Sequence, residues 1–249
     1  MSFYYGNEEY KYITCGGSGH YLSTAGKRTP RIPELEGRVI HEYEFNQPVK
    51  IKMFEGLKRC GIACFDSNKE SYDVPLNERA KRANKLIKNE SDLKRIIYVS
   101  IHFNAWDGKF GSNKGGISIY HYPTSTNGKK LATTIYNQLI QGTKQRKLGI
   151  LTAKFAILKY TKMPAVLSEN GFMDVLEEAL LMLSEEFQSE VAEEHVKGIC
   201  NYFGVKYIKP VTPKDKLYRV QVGAFKNLEN AEKLVERLNK AGFNSIIKF

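Results

Sequence analysis

Short apolar runs rich in β-branched and aromatic residues recur along the first four-fifths of the chain. They lie at Lys11–Cys15, Gly61–Phe65, Ile96–Ile101, Gly116–Tyr122, Ala156–Tyr160 and Pro164–Ser168. Runs of this length bounded by turn residues predict strands. Between several of them the apolar positions recur every three or four residues, which predicts helices. The expected helices run from about Asn46 to Arg59, from Asn77 to Asn89, from Ser125 to Gln141, and as a pair within Asp174–Phe203. Asn46 is the expected N-cap of the first, with Pro48 tolerated in its opening turn. Strands alternating with helices predict an α/β fold of three layers: a mostly parallel, twisted sheet with helices on both faces.

The texture changes at Lys209-Pro-Val-Thr-Pro-Lys214, where two prolines flanked by lysines predict a short stiff linker. Beyond it, Leu217–Phe225 reads as a strand, Asn230–Ala241 as an amphipathic helix and Asn244–Phe249 as a second strand, a small βαβ unit. The expected organisation is a main domain over 1–208, a linker over 209–214 and a C-terminal unit over 215–249. From residue 209 onward nine Lys/Arg face four Asp/Glu, so positive charge is densest there.

Composition narrows the class. With 249 residues, 42% of them hydrophobic, the chain has enough apolar material for a packed core and is not of the disordered type. No apolar run approaches the roughly 18 to 20 residues of a membrane helix. The N-terminus lacks the basic start and apolar stretch of a secretory signal, so synthesis in the cytoplasm without a signal peptide is expected. Cys15, Cys60, Cys64 and Cys200 form no C-x-x-C pair, and buried reduced thiols are the expectation. A net charge of +11 asks for an anionic partner. The basic residues are spread along the chain without a nucleic-acid motif, so nucleic acid is not the expected partner; a wall carrying anionic polymers attracts such a protein equally well.

Four segments carry candidate chemistry: Gly16-Gly-Ser-Gly-His20 after the first strand, His41-Glu42-Tyr-Glu44-Phe-Asn46 before a helix, Ser100-Ile-His102-Phe-Asn104 after a strand, and Ser168-Glu169-Asn-Gly-Phe172 after another. In an open parallel sheet, ligands gather beyond the carboxyl ends of the strands, where His20, His102 and Glu169 fall. Two imidazoles and a carboxylate suit a catalytic zinc that keeps one position for water. A further carboxylate then moves the proton. The second segment offers the ligating group from His41, Glu42 or Glu44, which leaves Glu169 for proton transfer.

Gly19-His20, Ser23-Thr-Ala-Gly-Lys27-Arg28-Thr-Pro30 and Glu42-Tyr-Glu-Phe-Asn46, followed by Pro75-Leu-Asn-Glu-Arg79 with Ala83-Asn84, Val99-Ser-Ile-His102-Phe-Asn104, and Met163-Pro-Ala-Val-Leu-Ser-Glu169-Asn-Gly-Phe172, resemble one family. It is the zinc-dependent N-acetylmuramoyl-L-alanine amidases of the type 3 group, which includes phage endolysins and sporulation autolysins. The resemblance covers roughly residues 10 to 205. It implies zinc held by His20, Glu42 and His102, because the family's metal-binding Glu stands four residues before an Asn. It also implies Glu169 as the acidic catalyst and Asn104 as a cleft residue, against a plain turn-cap role for Asn104. Arg79 matches as well, although a solvated helix face explains it equally.

The tail resembles a SPOR domain, which binds glycan strands stripped of their peptides. The matching residues are Tyr218-Arg-Val-Gln221-Val-Gly-Ala-Phe225, Asn230-Ala-Glu-Lys-Leu and Ala241-Gly-Phe243. Gln221 and Phe225 are the contacts implied. Only one of the two strand–helix–strand repeats of a full module is present, so a homodimer pairing two halves is one expectation and packing on the main domain another. The function implied is hydrolysis of peptidoglycan between muramic acid and L-alanine, after release through a holin-opened membrane or by mother-cell lysis. A zinc peptidase cutting within the stem peptide and a non-catalytic wall-binding protein are the alternatives.

Overall fold

The computed structural model describes residues 3–5, 8–21, 24–111, 114–211, 221–243 and 245–247. The chain divides into two compact units, Met1–Ile208 and Lys209–Phe249.

In the first unit, strands β1 (Phe3–Tyr5) and β2 (Glu8–Tyr10) form an antiparallel pair that the sequence reading did not anticipate. The main sheet contains β3 (Ile13–Ser18), β4 (Ala63–Asp66), β5 (Ile96–Asn104), β6 (Ile117–His121), β7 (Lys147–Thr152) and β8 (Ala165–Phe172), in the order β4-β3-β5-β8-β6-β7. Every neighbouring pair is parallel except β6 with β8. The interior strand β8 is buried along its whole length, as a strand covered on both faces must be.

Helices α1 (Glu42–Arg59), α3 (Thr126–Gly142) and α6 (Glu185–Phe203) cover one face. Their contribution to the core includes Phe45, Val49, Met53, Ile135 and Val196, packed against Val99 and Ile101 of β5. Gly198 of α6 lies directly over α3, where a Cβ would come within 2.4 Å of Ile135 Cα. On the other face, α2 (Leu76–Asn84) and α4 (Ala156–Tyr160) bury Ala80, Ala83, Ile157 and Leu158 against Cys15, Tyr98 and Leu167. The short helix α5 (Leu176–Leu181) follows β8.

Three local expectations are corrected. Ala156–Tyr160 is a helix, not a strand: an apolar run of that length has no period that separates the two. Lys147–Thr152 is an unforeseen strand, concealed because this edge element buries little and contains Gly149 at φ +104°. Helix α1 begins four residues before Asn46. Its N-cap is His41, whose N–H is accepted by the Glu44 carboxylate at 2.8 Å. Pro48 therefore lies inside the helix and leaves the Glu44 carbonyl without its usual donor; Gln188 Nε2 reaches it at 3.5 Å.

In the second unit, helix α7 spans Leu228–Lys240, with Asn227 as N-cap. Residues 221–225 and 245–247 are not in strand conformation. The rest of the two strands expected there, 217–220 with 244, 248 and 249, lies outside the described residues, as do 212–214 of the expected linker. Gln221 and Phe225 are exposed. Among the described residues no helix is long and apolar enough to cross a membrane. The four cysteines are free and buried, as expected.

Candidate metal centre

The neighbouring strands β3, β5 and β8 deliver the candidate residues to one end of the sheet. His20 follows β3 by two residues, His102 lies near the end of β5, and Glu169 is its register partner on β8. Glu42 opens α1 and is almost fully buried. One ligand atom each from His20, Glu42 and His102 can be chosen so that all lie within 4.8 Å of one another. Glu42 Oε1 is 3.0 Å from His102 Nδ1, and Oε2 is 3.6 Å from His20 Nε2. The two imidazole rings meet edge to face with centroids 5.4 Å apart.

The backbone around these groups is tightly specified. His20 has φ +60°, a left-handed conformation that costs a residue with a Cβ on the order of 1 kcal/mol. The preceding Gly19 donates its N–H to Ile101 O at 2.8 Å, and its carbonyl accepts Asn46 Nδ2 at 3.0 Å. No larger residue fits at this position, because a Cβ would sit 2.3 Å from the His102 ring. Asn46, expected as a cap, is a buried residue inside α1 whose amide also donates to Glu42 Oε1 at 2.9 Å. The Phe103 N–H reaches the same oxygen at 3.1 Å.

Electrostatics separate the two carboxyl groups. Burial pushes Glu42 up, but His102, His20 and Asn46 outweigh it and bring it down to about 2. Burial pushes His20 down to about 4, with Glu42 opposing part of the fall. Burial and the charge of Glu42 both raise Glu169 well above the usual carboxylate range, and the nearby charge of Lys27 offsets this only in part. At neutral pH the cluster therefore presents a neutral imidazole at His20 and an ionised carboxylate at Glu42, beside a Glu169 that holds its proton more tightly than an ordinary carboxyl group. An ionised carboxylate and lone pairs on imidazole are what a zinc-like cation needs, so the donor set fits such an ion.

Neither of the other two acid or imidazole candidates of the second segment belongs to the cluster of His20, Glu42 and His102. The Glu44 carboxylate pairs with Arg38 and accepts the His41 N–H. His41 forms an isolated bridge with Arg28. Asn104 ends β5, and its Oδ1 accepts the N–H of the next residue, Ala105, at 2.8 Å. Both residues flanking Glu169 have structural partners. Ser168 Oγ lies 2.9 Å from His195 Nε2, and Asn170 Nδ2 donates to His102 O at 2.9 Å.

Arg79 is not on a solvated face. Its side chain is buried and donates to Ser18 O at 2.6 Å, so it touches the chain just before His20. Asn68 grips the same residue through Ser18 N at 3.2 Å and Ser18 O at 3.0 Å. Asp174, fully buried, accepts three consecutive N–H groups, from Trp106, Asp107 and Gly108, in the loop after β5. Only the Arg79 position was visible in the sequence, as part of the resemblance; the others have no periodic or motif signal.

A family model described as N-acetylmuramoyl-L-alanine amidase matches residues 18–201, and one described as SPOR domain matches residues 204–249. A sporulation-specific N-acetylmuramoyl-L-alanine amidase of Bacillus subtilis (strain 168) is 31% identical over 188 residues, covering 75% of this chain and 67% of the relative. An endolysin of Bacillus phage SPP1 is 34% identical over 139 residues, covering 53% of this chain and 46% of the endolysin. The crystal structure of an N-acetylmuramoyl-L-alanine amidase from Clostridium difficile 630 superposes with a TM-score of 0.66 at 26% identity, covering 78% of this chain and 97% of that one.

Proposed function

The chain belongs to the N-acetylmuramoyl-L-alanine amidase family, a family of peptidoglycan hydrolases, and we propose that it cuts the amide between muramic acid and the L-alanine of the stem peptide with a zinc ion held by His20, Glu42 and His102. The observation that carries this reading is the convergence of those three side chains with Glu169 beside them at one end of the sheet. When bound, zinc polarises the amide carbonyl, lowers the pKa of a water, and favours the ionised form of Glu169.

The chain's own groups supply the rest. Glu42 holds its charge through the donors Asn46 and Phe103 N–H, which keeps the anionic ligand in place. Ser100 Oγ, 3.0 Å from His102 Nε2, leaves the Nδ1 edge of that ring turned toward Glu42. Glu169 takes the proton of the attacking water and returns it to the leaving alanine nitrogen, so one residue serves as base and then as acid. The buried setting of Glu169 excludes bulk water from that transfer.

The tail, through its likeness to a SPOR domain, serves to hold the enzyme on glycan strands from which peptides have been removed, with Gln221 and Phe225 as contacts. Pairing of two tails in a homodimer is the accompanying proposal, because one repeat of about 35 residues buries little by itself.

The test is zinc analysis of the purified chain, coupled to digestion of peptidoglycan with and without chelator. The expected result is about one zinc per chain and chelator-sensitive appearance of L-alanine amino termini without new reducing ends. Amino termini from within the stem peptide would make the chain a peptidase. Wall binding without cleavage would remove the catalytic assignment.

A further inference from the structure

We propose that Arg79, Asp73 and Thr24 form a positioning device for His20, holding both flanks of the turn that carries it. Zinc affinity then depends on residues that do not touch the ion. The proposal rests on the assignment of His20 as a ligand.

The geometry is continuous. The Arg79 guanidinium spends its planar fork on three acceptors: Nε donates to Val74 O at 2.7 Å, Nη1 to Ser18 O at 2.6 Å and Nη2 to Asp73 Oδ1 at 2.6 Å. The second oxygen of Asp73 accepts the Thr24 hydroxyl, and Thr24 Oγ1 in turn accepts the Tyr21 N–H at 2.9 Å. His20 thus stands between two anchored neighbours, Ser18 two residues before it and Tyr21 one residue after. Both anchors lead back to one buried arginine.

This bracketing matters because His20 has a left-handed backbone that a free chain would rarely keep. On the Ser18 side, Asn68 provides a second grip, so the end of β3 does not depend on Arg79 alone. On the Tyr21 side, the only side chain bound to the Tyr21 N–H among the described residues is that of Thr24, while the Tyr21 carbonyl accepts the Thr24 N–H at 3.0 Å and its ring meets Tyr43 edge to face at 4.5 Å. Loss of the Thr24 hydroxyl releases the Tyr21 amide and loosens the turn next to His20 without unpicking the sheet. A lysine at 79 would offer a point charge in place of the fork and could not serve three divergent acceptors together.

The test compares wild type, Thr24→Val, Asp73→Asn, Arg79→Lys and, as a reference, His20→Ala. Three readouts are taken on the full chain: zinc affinity by chelator competition, the visible absorption spectrum of the cobalt-substituted protein, and the melting temperature without metal. Thr24→Val and Asp73→Asn are expected to keep the wild-type melting temperature, to bind zinc about 10-fold or more weakly, and to alter the cobalt spectrum. Arg79→Lys should weaken zinc binding further. Wild-type affinity and cobalt spectrum in Thr24→Val and Asp73→Asn would overturn the proposal. So would a loss of affinity that merely follows a lowered melting temperature. If wild type binds no zinc, or His20→Ala binds it as well as wild type, the ligand assignment itself has failed and the proposal falls with it.

Discussion

His102 and Glu169 are direct register partners on the adjacent parallel strands β5 and β8. A candidate ligand and the candidate proton carrier are therefore fixed to each other by the ladder of the sheet, not by a loop. Strand pairing holds their Cα atoms about 5 Å apart, and Asn170 Nδ2 bonded to His102 O locks the same two strands one residue further on.

Glu169→Gln keeps the shape and loses the proton shuttle. It should retain zinc while amide hydrolysis falls on the order of 10²- to 10⁴-fold. Metal analysis and release of L-alanine amino termini, measured on one preparation, check this. Hydrolysis at the wild-type rate would remove Glu169 from the proton-transfer role.

Glu42 and Glu44 are two residues apart, yet only Glu42 faces the cluster. Glu42→Gln should weaken zinc binding by more than about 100-fold, beyond what loss of an outer partner costs. Glu44→Gln should bind zinc as wild type does. Chelator competition on the pair distinguishes them, and the reverse pattern would reassign the ligand.

His195 is fully buried between Val191 O and Ser168 Oγ, and burial pushes it down to about 4. In the unfolded chain the imidazole takes a proton near pH 6.5, whereas in the folded one it does so only near 4. Between those values the unfolded state binds more protons, so stability falls as the pH drops from about 6.5 to about 4. The contribution of His195 is on the order of 3 kcal/mol. His20 shifts in the same direction, so the measurement is the difference between wild type and His195→Gln in urea unfolding at a series of pH values. A smaller slope in the variant is expected, and parallel curves would refute the assignment.

Gly198→Ala places a Cβ against the Ile135 backbone, where no side chain can move aside. Destabilisation of about 1–3 kcal/mol is expected from this overpacking. Zinc affinity and activity per folded molecule should not change, because neither Gly198 nor Ile135 supplies a group to the cluster. Denaturant melts and zinc titration are the measurements.

A chain ending at Ile208 should cleave soluble muramoyl-peptide fragments at the wild-type rate and bind insoluble, peptide-stripped glycan more weakly. Co-sedimentation with that glycan tests the tail directly. Equal binding with and without residues 209–249 would leave the tail without a glycan role.

Much of the architecture was readable before folding. The strand runs at Ile96–Ile101 and Pro164–Ser168 and the helical period of Ser125–Gln141 each follow from a side-chain pattern that burial on one or both faces imposes. His102 and Glu169 were expected just past their strands, whereas β5 and β8 run on to Asn104 and Phe172 and include them. Elements that bury little were less legible: β7 at the sheet edge and α4, only five residues long, present almost no periodic signal. Long-range partners were legible only through the family resemblance and left no local pattern of their own. Which acid of Glu42 and Glu44 turns inward depends on where α1 begins, and that is set by His41 and Glu44 capping each other. Arg79 looks like any basic residue on an exposed helix until the fold carries Ser18, distant in sequence, to its guanidinium. Sequence determines what each segment prefers; only the tertiary structure decides which buried polar groups meet, because a hydrogen bond between distant segments leaves no period in either of them.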